Sequence, residues 1–501
     1  PGTLTVEELN ACIGEYDGLV VRSATKVTPE LLQHAPKLKV IGRAGVGVDN
    51  IDIPASTAKG VLVMNTPDGN TISTAEHTCG LIIAMSRNIP EAVQTVKGGG
   101  WNRKAYMGIE VHGKTLGVVG LGKIGSEVAR RMKVFGMEII SYDPFSTEEH
   151  AQNLGVKLVE LEELLSTSDY VTVHTPLTEK TKGLISLANK EGLKKGMRLV
   201  NCARGGIYEE ADLAQLLDEG VLGGVALDVY STEPPTEEIY QMLAHPKVIC
   251  TPHLGASTEE AQEKVAKQIA AHMADALENT NYKGSINGKS IALLTNKEVQ
   301  PYLILAEKLG KAMVQLSPEQ TSELEFEYAG DCTKYADVLT DGILKGIISE
   351  YVDDSINLIN ARVYADERGF KIKEVTSNKT KTFSDLITIR MPKNEEYKSI
   401  SATLFGDGDY RVVDIDGYGL EMRLEGDLLL YQNEDKPGML ASVSGALAKE
   451  SINIGALSLG RASKGSNAIT AVAVDRKLSQ EETQNIKGMD GVKALRFISL
   501  S

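Results

Sequence analysis

Three residues in the middle of this chain are of the types that exchange a proton with a hydroxyl group while holding an anion. They are Arg204, Glu233 and His253, and each stands just past an apolar run: MRLVNCA, GGVALDVY and KVICTP respectively. Such runs read as buried parallel strands, and in an open parallel sheet ligands sit beyond the carboxyl ends of the strands. A histidine placed there exchanges protons near neutral pH. A carboxylate on its far ring nitrogen fixes the tautomer and favours the imidazolium. A planar guanidinium grips a carboxylate through two parallel bonds. The expected chemistry is oxidation or reduction at a hydroxyl carbon, with His253 as acid/base, Glu233 as its partner and Arg204 as the substrate anchor. His174 follows another such run, YVTV, and position alone does not separate it from His253. Any one histidine is more often structural than catalytic. It is the joint occurrence of three suitable residues after consecutive strands that carries the reading.

A redox partner is written just upstream. Gly120, Gly122 and Gly125 stand in GLGKIG, entered by the strand-like TLGVV and left through the helical SEVARRMKVFG. A second strand, from Met137 to Tyr142, ends at Asp143. Gly120 permits a tight turn, Gly122 lets a pyrophosphate approach the backbone, and Gly125 allows close packing of helix on strand. The helix N-terminus offers free N–H groups to the phosphates. Asp143 accepts from ribose hydroxyls and repels a 2′-phosphate, so NAD is expected rather than NADP. The plain alternative, a glycine turn that only joins strand to helix, fits this full context poorly. Gly45-Val46-Gly47 lacks the third glycine and the downstream acid, and reads as a backbone turn near the substrate. Cys202 has no base beside it in sequence and reads as a small residue packed under the cofactor, not a nucleophile.

Elements that position these residues follow an α/β grammar. GLVVRS, LKVIGRAG and GVLVMN alternate with helical stretches between Tyr16 and Met64. One long helix is expected from Thr71 to Lys97, stopped by Gly98, Gly99 and Gly100. Six strands alternate with helices from Thr115 to about Pro252, giving a parallel sheet. Ser257-Thr258-Glu259-Glu260 caps a further helix running to Glu278, and Tyr282 to Lys289 forms a linker. Residues 296 to 425 mix helices (Tyr302 to Val314, Asp337 to Glu350) with Thr- and Lys-rich strands. From Asp427 onward the order βαββαβ is ferredoxin-like. The expected domains are a discontinuous substrate-binding lobe (1–70 and 255–285), an NAD-binding lobe (71–254), an intervening α+β domain (296–425) and a ferredoxin-like domain (427–501). Both lobes are expected to be doubly wound parallel sheets, of Rossmann and flavodoxin-like type, around a cleft. No fixed-period repeat is present.

Bulk properties exclude several classes. A net charge of −15 lacks the basic footprint that nucleic acid needs. The 5 cysteines form no C-x-x-C pair, so no zinc or other metal site is expected and a reducing compartment is. No apolar run approaches the roughly 18 residues of a membrane span. PGTLTVEELN has neither signal nor transit character, which makes the cytoplasm the default, with a plastid stroma if a leader has been removed.

Taken together, VNCARGGIYEE, LDVYSTEPP and TPHLGASTEEA resemble signature regions of the D-isomer-specific 2-hydroxyacid dehydrogenase family. VRSATKVT and GRAGVGVDNID resemble the branch of it that oxidises 3-phosphoglycerate to 3-phosphohydroxypyruvate at the entry to serine synthesis. The resemblance covers nearly all of residues 16 to 290. It implies the same roles for Arg204, Glu233 and His253. It implies cofactor contacts at Val46, Gly120, Gly122, Lys123, Ile124, Gly125, Asp143, His174, Thr175, Cys202, Ala203, Arg204, Asp228, His253, Gly255 and Ala256. On the substrate side it adds Arg22, Arg43 and Gly47 to Arg204 and His253, with Arg22 and Arg43 at the phosphate and Arg103 reaching a neighbouring subunit. The plain reading of these three arginines is a solvated surface. Residues 296 to 425 resemble an intervening, allosteric substrate-binding domain, and the last unit resembles an ACT domain with serine contacts at Asn433, Asp435 and Asn453. A unit that only joins subunits into a homodimer or homotetramer is the simpler reading of that domain. Two other functions stay open: another hydroxyacid or glyoxylate reductase, and a non-catalytic NAD-sensing protein. One departure is the start of the chain, where the family has a further strand and helix. A neighbouring strand is therefore expected to show an open edge, in a chain that is N-terminally incomplete or patched.

Overall fold

The computed structural model describes residues 4–318, 322–352, 356–377, 382–392, 397–406, 408–461 and 466–500. The chain divides into two compact units. The first takes in the chain up to Arg43, then Gly47–Asn65 and everything from Ile269; the second is Ala44–Val46 with Thr66–Gln268.

In the first unit, β1 (Gly18–Val21), β2 (Val40–Arg43) and β3 (Leu62–Met64) form a parallel sheet in that order. Val21, Val40, Ile41 and Val63 are buried, as befits a parallel sheet covered on both faces. The outer edge of β1 carries no strand among the described residues, and Val20 is 52% exposed. The open edge expected from the sequence is thus present.

The second unit is built on β4 (Thr115–Val119), β5 (Glu138–Tyr142), β6 (Lys157–Leu158), β7 (Tyr170–Val173), β8 (Met197–Asn201), β9 (Leu222–Leu227) and β10 (Val248–Cys250). All pair in parallel, in the order β10-β9-β8-β7-β4-β5-β6. Chain order reverses on either side of β4, which creates the crevice where open α/β sheets bind their ligands. Two expectations need correcting. The sheet has a seventh strand, β6, whose two residues are too few to show any pattern in sequence. The single helix expected over Thr71 to Lys97 is two helices, Thr71–Ser86 and Ile89–Lys97. Asn88 breaks it by taking a left-handed conformation (φ 51°), a shape asparagine tolerates better than most residues, and Pro90 then suits the start of the new helix. Helix Glu259–Leu277 starts where the capping pattern places it, with Thr258 Oγ1 accepting from Ala261 N at 3.2 Å.

Back in the first unit, β11 (Glu323–Gly330), β12 (Lys371–Ser377), β13 (Asp385–Arg390), β14 (Ser399–Leu404), β15 (Tyr410–Ile415) and β16 (Tyr418–Arg423) form a mixed sheet ordered β12-β11-β13-β14-β15-β16. Helices Gln300–Leu316 and Ala336–Ile348 bury Leu309, Met313 and Ile343 in its core. β17 (Asp427–Glu434), β18 (Ile454–Arg461), β19 (Asn467–Val474) and β20 (Val492–Ser499) form an antiparallel sheet ordered β18-β19-β17-β20, with helices Met439–Lys449 and Gln480–Lys487. This is the βαββαβ arrangement read from the sequence. Among the described residues no helix is long and apolar enough to cross a membrane.

Candidate active site

The glycine loop between β4 and helix Lys123–Val134 shows what each glycine does. Gly120 has φ 94°, and a Cβ there would lie 2.7 Å from the His174 carbonyl oxygen. A Cβ on Gly125 would lie 2.0 Å from the Gly120 oxygen, so the helix packs on the strand only because this residue has no side chain. A Cβ on Gly122 would meet nothing within 4 Å, so this stretch of backbone faces open space. Asp143, just past β5, accepts from Leu121 N at 2.7 Å and from Phe145 N at 2.8 Å, which ties the acid to the loop. Lys123 opens the helix and pairs with Asp68. Ile124 is partly buried on the core.

On the other side of the crevice, His253 Nδ1 and Glu233 Oε2 are 2.8 Å apart. Glu233 Oε1 also accepts from Tyr230 N at 3.2 Å. The Glu233 hydrogen bond pushes the His253 pKa up, against desolvation, with further help from the charges of Glu233 and Asp228 and opposition from Arg204. For Glu233, burial pushes the pKa up, but the His253 bond and charge and the Tyr230 N–H outweigh it and hold the carboxyl below its ordinary value. Arg204 sits past β8, its Nη1 donating to Ala203 O at 2.7 Å. Ala203 N in turn donates to Asn201 Oδ1 at 2.9 Å. These three residues therefore lie at the ends of β8, β9 and β10, which are neighbours in the sheet.

His174 differs from His253 in every respect that matters to proton exchange. Among the described residues its Nε2 reaches only the Thr172 hydroxyl, at 3.1 Å, and burial pulls its pKa down to about 4. Its Nδ1 and the Thr175 hydroxyl are buried without a hydrogen-bond partner among the described residues. Two orphaned polar atoms beside an open glycine cradle and a carboxylate fit a dinucleotide.

Asp228, past β9, is fully buried. It accepts from Thr251 Oγ1 at 2.5 Å, Leu254 N at 2.7 Å and Gly255 N at 2.8 Å, with His77 Nε2 3.2 Å away. Burial alone would raise its pKa, and these donors reverse that to a net lowering. Ala256 O, one residue on, accepts from Gln262 Nε2 at 2.9 Å. Cys202 is buried nearby, and desolvation lifts its thiol to about 12. That protonated thiol agrees with a packing role rather than a nucleophilic one. His77, Cys202 and Asp228 place ligand atoms within 4.8 Å of one another, a spacing that could serve a metal ion. The Asp228 oxygens are already engaged, however, by Thr251 Oγ1, Leu254 N and Gly255 N, and burial keeps Cys202 a thiol.

Sequence reasoning missed His77, and it missed Glu210. Glu210 is 7% exposed and accepts from Gly206 N at 3.1 Å, Ser231 N at 2.8 Å and Ser231 Oγ at 2.7 Å. It thereby ties the loop of Arg204 to the loop of Glu233. In sequence it is one more acid in the first turn of helix Glu210–Asp218, and nothing local marks it. The same two loops touch at Gly205, where a Cβ would stand 1.8 Å from the Tyr230 carbonyl carbon. Gly205→Ala is expected to lose about 1–3 kcal/mol of stability through overpacking. A thermal melt of the variant against the parent checks this.

In the first unit, Arg22 and Arg43 stand at or just past the carboxyl ends of β1 and β2, where Val21 is paired with Arg43. Asn50 Nδ2 bonds the carbonyls of Arg22 and Thr25 at 2.9 and 2.6 Å and so shapes the loop after β1. The GxG turn is divided between the units, with Val46 in the second and Gly47 in the first. Arg103 is exposed in the stretch after helix Ile89–Lys97. Asn433 and Asp435 lie at one end of the four-stranded sheet. Asn453 lies at the other, because Ile454 pairs with Val474 and Val474 with Asp427. The strand rise between these ends is about 20 Å, so one chain does not bring the three residues together.

The sequence model described as "D-isomer specific 2-hydroxyacid dehydrogenase, NAD binding domain" matches residues 79–255, and "D-3-phosphoglycerate dehydrogenase intervening domain" matches 298–416. D-lactate dehydrogenase from Aquifex aeolicus, solved with NAD and lactic acid, superposes with a TM-score of 0.50 at 28% identity, over 54% of this chain and 86% of that one. Fold and crevice are those of the D-isomer-specific 2-hydroxyacid dehydrogenases. Among relatives, the D-3-phosphoglycerate dehydrogenase of Bacillus subtilis is 40% identical over 97% of this chain and 92% of its own. That of Methanocaldococcus jannaschii is 39% identical over 99% and 94%. The chain belongs to the D-3-phosphoglycerate dehydrogenase family.

Proposed function

We propose that this protein oxidises 3-phospho-D-glycerate at C2 to 3-phosphohydroxypyruvate with NAD, the first step of L-serine synthesis. The observation that carries the site assignment is the 2.8 Å His253–Glu233 pair beside Arg204 at adjoining strand ends. The nicotinamide ring of bound NAD supplies the acceptor for the hydride that leaves C2. Glu233 holds the Nδ1–H of His253, which leaves Nε2 to take the proton of the C2 hydroxyl as the carbonyl forms. The resulting imidazolium is stabilised by the same carboxylate. Arg204 holds the substrate carboxylate, and Arg22 and Arg43 serve its phosphate. Gly122 leaves room for the pyrophosphate, and Asp143 takes the adenosine ribose. The chain's domains are assigned as substrate-binding (1–70 and 255–285), NAD-binding (71–254), intervening (296–425) and ACT (427–501).

Purified protein with NAD and 3-phosphoglycerate, followed by NADH absorbance at alkaline pH, tests the reading. Reduction of glyoxylate without reduction of phosphohydroxypyruvate would favour a different reductase of the class. Cofactor binding without turnover of any hydroxy acid would favour a sensor. Cofactor choice gives a second check. Asp143→Asn keeps an acceptor for Leu121 N but loses the charge, and should lower the NAD-over-NADP preference by about tenfold or more, since a hydrogen bond to a charged group contributes about 1.5–3 kcal/mol. Titrating both cofactors against intrinsic fluorescence measures it.

The protein works as a homo-oligomer in the cytoplasm. Ile89, Val93, Val96, Trp101 and Met107 are exposed along one helix and the stretch after it, Trp101 by 79%, and such apolar surface is the kind a second copy covers. Arg103 lies in the same stretch and reaches the partner's substrate. Serine binds where Asn433 and Asp435 of one ACT domain meet Asn453 of another. Adding serine to the assay tests that site.

A further inference from the structure

His253, the proposed proton carrier, has φ 56°, a left-handed backbone that a histidine holds only when its surroundings impose it. The imposing groups are visible. The two peptide N–H groups after it, those of Leu254 and Gly255, both point at the buried carboxylate of Asp228. Asp228 in turn takes the Thr251 hydroxyl from the residue two before His253. The side-chain nitrogen on this carboxylate belongs to His77, at 3.2 Å, and the same Nε2 is 3.1 Å from Thr251 Oγ1. His77 lies on helix Thr71–Ser86, and the same face carries a further brace. Thr74 Oγ1 donates to Gly255 O at 3.2 Å. A spacing of three residues puts Thr74 and His77 on one side of the helix. Two polar side chains on that side serve backbone and carboxylate beneath the catalytic residues.

We propose that His77 is a positioning residue of the catalytic turn: through Asp228 it holds the backbone from Thr251 to Gly255 in the conformation that delivers His253 to Glu233. Because Asp228 can only accept while ionised, the His77 Nε2 must carry its proton and act as donor. Removing that donor leaves a buried carboxylate short of one partner, and the turn that hangs from it loosens. The inference rests on the reading of His253 as proton carrier, and it concerns a residue outside the site assigned above.

The charged groups that face His253 are Glu233, Asp228 and Arg204. If the turn loosens, the Glu233 bond weakens and the His253 pKa falls. The experiment compares His77→Leu with His77→Gln, whose side-chain nitrogen can occupy the place of Nε2. For His77→Leu, the acid limb of the pH profile for 3-phosphoglycerate oxidation should move to lower pH, and kcat should fall more than tenfold with KM for the substrate changed less than threefold. His77→Gln should recover most of both changes. Thr251→Val against Thr251→Ser gives the same comparison should the leucine variant not fold. Histidine-selective NMR titration, with His253 assigned by its own substitution, reads the pKa without turnover. A limb and an NMR pKa that stay in place in His77→Leu, or a glutamine variant no better than leucine, would overturn the proposal. If the parent protein fails to oxidise 3-phosphoglycerate at all, the functional reading fails instead, and the NMR titration still decides the role of His77.

Discussion

Replacing His253 with asparagine is expected to lower kcat for 3-phosphoglycerate oxidation by ~10²–10⁴-fold, the range that a positioned acid/base contributes. NADH affinity should stay within a few fold, because the glycine loop and Asp143 lie on a different stretch of the crevice. The pH dependence makes the assignment more specific. Oxidation needs a neutral imidazole, and Glu233 raises the His253 pKa above its ordinary value of about 6.5. Oxidation should therefore fail as the pH drops through a limb above that value, and reduction should fail as the pH rises through the same region. Glu233→Gln removes the charge that raises the pKa and should move the limb to lower pH, with a smaller loss of kcat. Initial rates in both directions across pH 6 to 10 (a range of about this width spans the limb) give the test. A wild-type profile without an acid limb would remove His253 from the mechanism.

Arg204→Gln should cost ~10²–10⁴-fold in kcat/KM. Two charge-assisted hydrogen bonds to a carboxylate are lost, at about 1.5–3 kcal/mol each. Arg204→Lys should recover only part of this, since an ammonium does not reproduce the planar fork. The limb of the pH profile should move in the direction opposite to that of Glu233→Gln. Arg204 lowers the His253 pKa, so its removal lets that pKa rise and the oxidation limb shift to higher pH. Opposite shifts from two neighbouring substitutions are a signature that general unfolding or loss of cofactor would not produce. Steady-state kinetics on both variants, with circular dichroism to verify folding, decides it.

The parts of this site that could be read from the chain are those whose physics is local. Gly120, Gly122, Gly125 and Asp143 occupy one strand–turn–helix–strand segment, where conformation follows from nearby residues. The strand-end positions of Arg204, Glu233 and His253 follow from strand boundaries in the same way. The break at Asn88 had one local sign, Pro90, which suits a helix start, but the left-handed turn at Asn88 that separates the two helices appears only in the folded chain. β6 was not legible, because its two residues show no alternation.

The choice between His174 and His253 shows where sequence stops. Both follow a strand, and by position both are candidates. Only the folded chain sets a carboxylate 2.8 Å from one and leaves the other to a threonine hydroxyl. Asp228, His77 and Glu210 make the same point, since each is defined by hydrogen bonds to residues far away along the chain. The chain alone therefore determined the kind of fold, the dinucleotide loop and the residue types available for the chemistry. The tertiary structure decided which of them meet, which stay charged and which backbone holds them, because burial and long-range hydrogen bonds exist only once the strands have packed.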